Sequence, residues 1–145
     1  MRRMWWVPLS LAGCAGDEDA LLGSLAGSWS GAFDTDAGAF PVTAEFDWDK
    51  AKAILTGEVD VEEAPGAPQV YAVRRWSTIK DVAYLELTDV TDGTRGLDVS
   101  GSVDKTFSGE TTLRYTCGAD TCGWQGTFDL TPTAGDPLDT VSGRR

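Results

Sequence analysis

The strongest nucleophiles in this chain are three thiols, and they fall in two settings. Cys14 follows Leu11-Ala12-Gly13 near the N-terminus, whereas Cys117 and Cys122 flank Gly118-Ala119-Asp120-Thr121 late in the chain. A four-residue hairpin loop between two strands brings the flanking sulfurs opposite each other, so the late pair is expected to form a disulfide. The competing chemistry is a metal knuckle, but zinc needs about four Cys or His ligands. The chain has no histidine, and Cys14 is its only other cysteine. In an oxidising compartment the bridge persists, and closing so short a loop is worth roughly 2 kcal/mol.

The lack of histidine also removes Ser-His-Asp and Cys-His nucleophilic sites. A serine–lysine dyad needs a buried lysine, and Lys50, Lys52, Lys80 and Lys105 all fall in or beside turns or polar faces. No glycine loop of the phosphate-cradling kind is present. Carboxylates are the remaining catalytic option. With 23 Asp and Glu, a pair at glycosidase spacing arises by chance, and no positioned base or nucleophile stands out. Asp34-x-Asp36 and Asp47-x-Asp49 offer alternating oxygens to calcium, but neither continues to the later Glu of a full loop, and Asp is an ordinary turn residue. The expectation is a non-enzyme with no metal and no cofactor. An envelope hydrolase working through carboxylates is the weakest alternative.

Cys14 sits in a different context. Arg2 and Arg3 precede the brief apolar run Met4-Trp5-Trp6-Val7-Pro8-Leu9-Ser10-Leu11, and small residues follow. Charge, apolar run and small-residue cleavage site are the layout of an export signal. The tetrad Leu11-Ala12-Gly13-Cys14 resembles the lipobox of bacterial lipoproteins. The resemblance implies that residues 1–13 are a cleaved signal peptide and that Cys14 is acylated, with palmitate among its chains. It also implies a domain anchored by lipid in the bacterial cell envelope, facing the periplasm or the surface. Two or more acyl chains anchor stably where one binds marginally. No later run approaches the roughly 18 apolar residues of a membrane helix. The formal charge of −11 repels phosphate backbones, so nucleic acid is not an expected partner. The expected partners are the membrane, through the lipid, and either a protein or a small apolar ligand.

Residues 14–26 read as the acylated cysteine and a short tether. Within it, Asp19 is placed to cap a helical turn whose Leu21, Leu22 and Leu25 share a face and plug one end of the domain. From Gly27 onward the period is two. Trp29, Gly31 and Phe33 alternate with polar or small residues, as do Val42, Ala44, Phe46 and Trp48. The same alternation holds for Ala53, Leu55, Gly57, Val59 and Val61; for Ala83, Leu85 and Leu87; and for Leu97, Val99, Gly101 and Val103. Leu113, Tyr115 and Cys117, then Trp124, Gly126, Phe128 and Leu130, complete the set. Gln69 to Trp76 is richer in apolar residues and less regular. Seven turn signals, among them Glu63 to Pro68, Asp92-Gly93 and Gly118 to Thr121, separate eight short strands in a meander.

Trp29-x-Gly31-x-Phe33 and Trp124-x-Gly126-x-Phe128 occupy the first and last of these strands. Pairing them sets Trp29 and Trp124 near one another at one end, hides both edges and closes an all-β, antiparallel, eight-stranded up-and-down barrel over residues 27–131, with residues 132–145 as a flexible tail. A β-sandwich is the alternative. Gly27-Ser28-Trp29 is similar to the Gly-x-Trp opening of lipocalin-like and avidin-like barrels. Lipocalins place an arginine near the last strand to cover that tryptophan; Gly123–Leu130 has none, and Arg114 lies one strand earlier. The resemblance therefore implies architecture, and with it a carrier of a small apolar ligand as the alternative to a structural or binding module. In a carrier, Trp29, Phe46, Trp124 and Phe128 would line the cavity. In a structural module they would fill it.

Overall fold

The computed structural model describes residues 18–133. A helix, α1 (residues 18–25), leads into eight strands: β1 (Gly27–Thr35), β2 (Gly38–Asp49), β3 (Ile54–Ala64), β4 (Ala67–Ile79), β5 (Val82–Asp89), β6 (Gly96–Val103), β7 (Phe107–Cys117) and β8 (Asp120–Pro132). Each strand pairs with its sequence neighbour, and β1 pairs with β8, so the sheet is a closed barrel and not a sandwich. Closure leaves no row of unpaired backbone groups. The expected export segment, Cys14 and the end of the chain from residue 134 lie outside the described residues. Pro132, assigned to the expected tail, is instead the last residue of β8 and faces Trp29 of β1.

The alternation of the sequence becomes the wall of the barrel. Val42, Ala44 and Phe46 of β2, Val59 and Val61 of β3, Leu85 and Leu87 of β5, and Leu97 and Val99 of β6 are all buried. A one-residue slip would turn each set outward, so burial on one face fixes the register. Near the end of β6 and the start of β7, Gly101 lies directly opposite Gly109, and Gly109 lies opposite Phe128 of β8. A Cβ on Gly101 would stand 2.9 Å from the Phe128 ring and 2.4 Å from the Ser108 carbonyl oxygen. Glycine is required there because the ring lies across the backbone.

α1 closes one end, hereafter the helix end, with Leu22 and Leu25 fully buried and Leu21 nearly so. Two indoles fasten it: Trp29 Nε1 donates to the Leu25 carbonyl at 2.8 Å, and Trp48 Nε1 donates to Asp19 Oδ1 at 2.7 Å. Asp19 therefore does not precede the helix as its cap. It lies inside the first turn, and its carboxylate is turned to the barrel rim, where it also meets Lys50 Nζ at 3.5 Å.

The antiparallel pairing of β1 and β8 corrects a second expectation, that Trp29 and Trp124 lie near one another. Phe33 faces Phe128 at the centre of the pair, with ring centroids 5.7 Å apart. The two tryptophans consequently fall at opposite ends. Trp29 packs on Phe107 at the helix end, and Trp124 packs on Phe33 and Phe40 at the far end.

Candidate functional site

Polar chemistry inside the barrel gathers at the far end, and the strands bring it there by continuing their inward phase. Glu63 follows Val59 and Val61 at the same spacing; Asp89 follows Leu85 and Leu87; Arg95 precedes Leu97 and Val99; Tyr115 follows Leu113. Tyr71, fully buried on β4, and Trp124 on β8 complete the group. Glu63 is thus the closing inward residue of β3 and not part of a turn.

The Arg95 guanidinium is the hub. Its Nη2 donates to Glu63 Oε1 at 3.0 Å and to the Tyr71 hydroxyl at 3.2 Å, and its Nε lies 3.5 Å from Asp89 Oδ2. The guanidinium carbon sits 4.5 Å from the centroid of the Tyr115 ring, a distance at which the ring face attracts a cation. Glu63 also accepts from Trp124 Nε1 at 2.8 Å and from the Tyr71 hydroxyl at 3.3 Å. Buried indole and phenol groups need such partners, because an unpaired polar group in the interior costs about 1–3 kcal/mol.

Asp89 shapes the loop that delivers Arg95. Its side chain has no solvent exposure. Oδ1 accepts from the Thr91 amide and hydroxyl, both at 2.8 Å, and from the Asp92 amide at 3.2 Å; Oδ2 accepts from Gln69 Nε2 at 2.7 Å. Asp92 repeats the motif on Thr94, and the Asp89 amide donates to the Arg95 carbonyl, closing the loop. Burial alone would push the Asp89 carboxyl up, but the bonds from Thr91, Gln69 and Asp92 outweigh it and hold the group below the usual carboxylate range. For Arg95, burial would lower the guanidinium, and the neighbouring Tyr71, Glu63 and Tyr115 more than restore it. Burial pushes the Tyr71 hydroxyl up to about 12.

Chemically the carboxylates of this network are occupied, while Arg95 Nε, buried without a hydrogen bond, is left to its ion-pair contact with Asp89. A general acid needs a raised pKa and a route to substrate, and a nucleophile needs a free lone pair aimed at a cleft. The Glu63 and Asp89 carboxylates are instead spent on an arginine, a tyrosine, a tryptophan and a loop. The arrangement suits a plug that covers the aromatic interior with paired charges.

The four aromatics expected to line or fill the interior are all buried, Trp29, Phe46 and Phe128 at 4 % exposure and Trp124 at 6 %. They belong to one continuous series of ring contacts. Phe46 meets Phe107 at 6.3 Å, Phe107 meets Phe128 at 4.9 Å, Phe128 meets Phe33, and Phe33 meets Trp124 at 5.9 Å. The series runs from the helix end to the polar plug. Side chains occupy the axis that a carried ligand would need.

Cys117 and Cys122 are joined in a disulfide at the far end, with Cα atoms 5.8 Å apart. The expected four-residue loop is tighter in the fold. Cys117 faces Asp120 across a two-residue turn, Gly118-Ala119, and Tyr115 faces Cys122, so the bridge runs diagonally between the strands. Gly118, at φ 68°, supplies the left-handed residue that such a turn needs at its first position. The acidic pairs considered for calcium serve as turn and edge acceptors. Asp49 Oδ1 receives the Lys52 amide, and Asp36 Oδ1 receives the Gln125 amide.

The network was missed because each member was read within its own strand or turn. Its signal was present: a charged or hydroxylated residue on the inward phase, one step beyond the last aliphatic, on β3, β5, β6 and β7. The arginine of the interior is Arg95, which packs on Tyr115, and not Arg114, whose Nη2 bonds Asp98 on the outer wall. No family model, no curated protein and no solved structure matches this chain.

Proposed function

We propose that the chain is an exported, lipid-anchored protein of a bacterial cell envelope, and that its barrel is a non-enzymatic module acting through its outer surface. On this reading the barrel is a rigid body for structure or for protein binding, and it carries no ligand in its lumen. The observation that supports the reading best is the interior, filled by the ring series from Phe46 to Trp124 and covered by α1 at one end and by the Glu63–Arg95–Asp89 network at the other. An apolar carrier needs a mouth and a void, and both ends here are covered, by packed leucines at one and by the Glu63–Arg95–Asp89 ion-pair network at the other. The Cys117–Cys122 bridge suits an oxidising compartment. Among the described residues no helix is long and apolar enough to cross a membrane, so attachment falls to the lipid on Cys14.

Cys14→Ser tests the anchor. Fractionation and intact mass should show the variant leaving the membrane fraction or accumulating as unprocessed precursor. A variant that stays membrane-bound and fully processed contradicts the lipoprotein reading.

A further inference from the structure

Every aromatic ring among the described residues belongs to the core or packs against it, with one exception. Tyr84 stands on the outer wall, 41 % exposed. Alternation puts it there: Ala83 and Leu85, its neighbours on β5, are buried in the barrel, so Tyr84 and Glu86 point outward. A tyrosine left in water gives up much of the burial that the other rings gain. The register frames the ring. Tyr84 lies between Ser77 of β4 and Ser100 of β6, and in the next outward row Glu86 lies between Arg75 and Asp98. These six residues line one depression of about 460 Å³, within the size range of small-molecule sites. On the other side of Tyr84 the wall turns apolar, with Val82 opposite Ile79, which is 60 % exposed.

Glu86 has unused hydrogen-bonding capacity. Its Oε1 accepts no hydrogen bond among the described residues, and its contact is an ion pair with Arg75 Nε at 3.4 Å. An exposed ion pair of this kind contributes little, so the carboxylate is open to exchange Arg75 for another donor. The charges around the depression balance. Arg75 and Arg114 match Glu86 and Asp98, with Arg114 bonded to Asp98, and Arg74 is exposed beside them. By contrast, β1, β2, β3 and β8 carry no lysine or arginine. In a chain of net charge −11, this wall is therefore the part that does not present an acidic field.

We propose that the outer wall around Tyr84 is a binding site for a neutral oligosaccharide, one pyranose laying its C–H face on the Tyr84 ring while its hydroxyls donate to the Glu86 and Asp98 carboxylates. A pyranose joins an apolar face to a rim of paired hydroxyls, and an aromatic face attracts C–H groups as it attracts other positive edges. Short serines on both sides of the ring leave room for the sugar and offer further hydroxyls. A peptide fits this wall less well. The closed barrel has no free edge for an added strand, and proline-rich segments dock in grooves lined by several aromatics, where this wall has one. The site rests on the reading that the barrel acts through its outer surface, and it is independent of the anchor at Cys14.

The test uses the exported full chain, isotope-labelled and held in phosphocholine micelles, titrated with maltohexaose, cellohexaose and chitohexaose and followed by amide chemical shifts. At least one of the three should give saturable shifts confined to β4, β5 and β6 around Tyr84. Tyr84→Ala should weaken that binding by about tenfold or more, and Tyr84→Phe, which keeps the ring, should hold it to within a factor of about two. Both variants should melt within about two degrees of the parent, since the side chain lies on the surface. Binding of equal strength in Tyr84→Ala overturns the site. Shifts at the Trp29 and Trp124 indoles overturn it too, and with it the filled interior. Decaproline binding at Tyr84 where no sugar binds overturns the oligosaccharide and keeps the outer wall as a docking surface. Silence with all three sugars and with decaproline overturns the site and leaves the anchor to the Cys14→Ser fractionation. An anionic hexagalacturonate that binds as tightly as the neutral sugars overturns the role given to charge.

Discussion

Asp89 keeps a full charge with no solvent contact because four donors and a guanidinium replace water around it. Removing one side of such a group leaves the rest uncompensated. Asp89→Ala should therefore cost about 3 kcal/mol at neutral pH in urea unfolding. The pH dependence carries a sign. The folded carboxyl titrates below its unfolded value of 3.8, so its contribution is whole above pH 3.8 and drains as pH falls through the lower, folded value. The stability gap between the native protein and Asp89→Asn should be flat above pH 3.8 and narrow below it. A gap that widens in acid contradicts the network. At this scale the sequence was half legible. The inward phase of Glu63, Asp89 and Arg95 could be read from spacing alone, but their meeting depends on three turns bringing β3, β5 and β6 to one end, and no local pattern encodes that convergence.

The helix and the last hairpin are the elements that close the two ends. Leu21, Leu22 and Leu25 were readable as one apolar face, since their spacing is that of a helix. The role of Asp19 was not, because its partner Trp48 is 29 positions away. Leu25→Ala removes a fully buried side chain from the plug and should cost about 2–5 kcal/mol in thermal or urea unfolding, as for large core truncations. The Cys117–Cys122 hairpin predicts no alkylatable thiol at either position in the exported protein, read by mass spectrometry after denaturation without reductant. Two labelled thiols would end that assignment. The strands themselves were legible because alternation is a local signal, although their ends were drawn short. β4 runs past Trp76 to Ile79, and β8 runs to Pro132. Turn residues marked the ends too early because ladder pairing with a neighbouring strand carries the backbone through them.

At the scale of the whole molecule, eight strands admit either a packed axis or one small ligand, and six tryptophans and five phenylalanines in the chain leaned toward packing. The echo of Trp-x-Gly-x-Phe in β1 and β8 led correctly to closure of the barrel, while antiparallel pairing sent its two tryptophans to opposite ends. Each indole caps the ring series at its own end. Trp29→Ala and Trp124→Ala should therefore each cost about 3–5 kcal/mol, and their effects should add, since distant sites are independent within about 0.5 kcal/mol. Strong coupling between the two would contradict their separation.

The most direct measurement of the filled barrel is a titration of the folded protein with apolar probes, fatty acids of several chain lengths among them, followed by tryptophan fluorescence and melting temperature together. A ligand that binds only the folded state stabilises it in proportion to the logarithm of its concentration over Kd. With rings occupying the axis from Phe46 to Trp124, the expected result is no saturable quenching and a melting temperature constant to within about a degree, where a strong ligand would raise it by several. Saturable quenching accompanied by stabilisation would mean that the interior opens to admit a guest, and the barrel would then be a carrier.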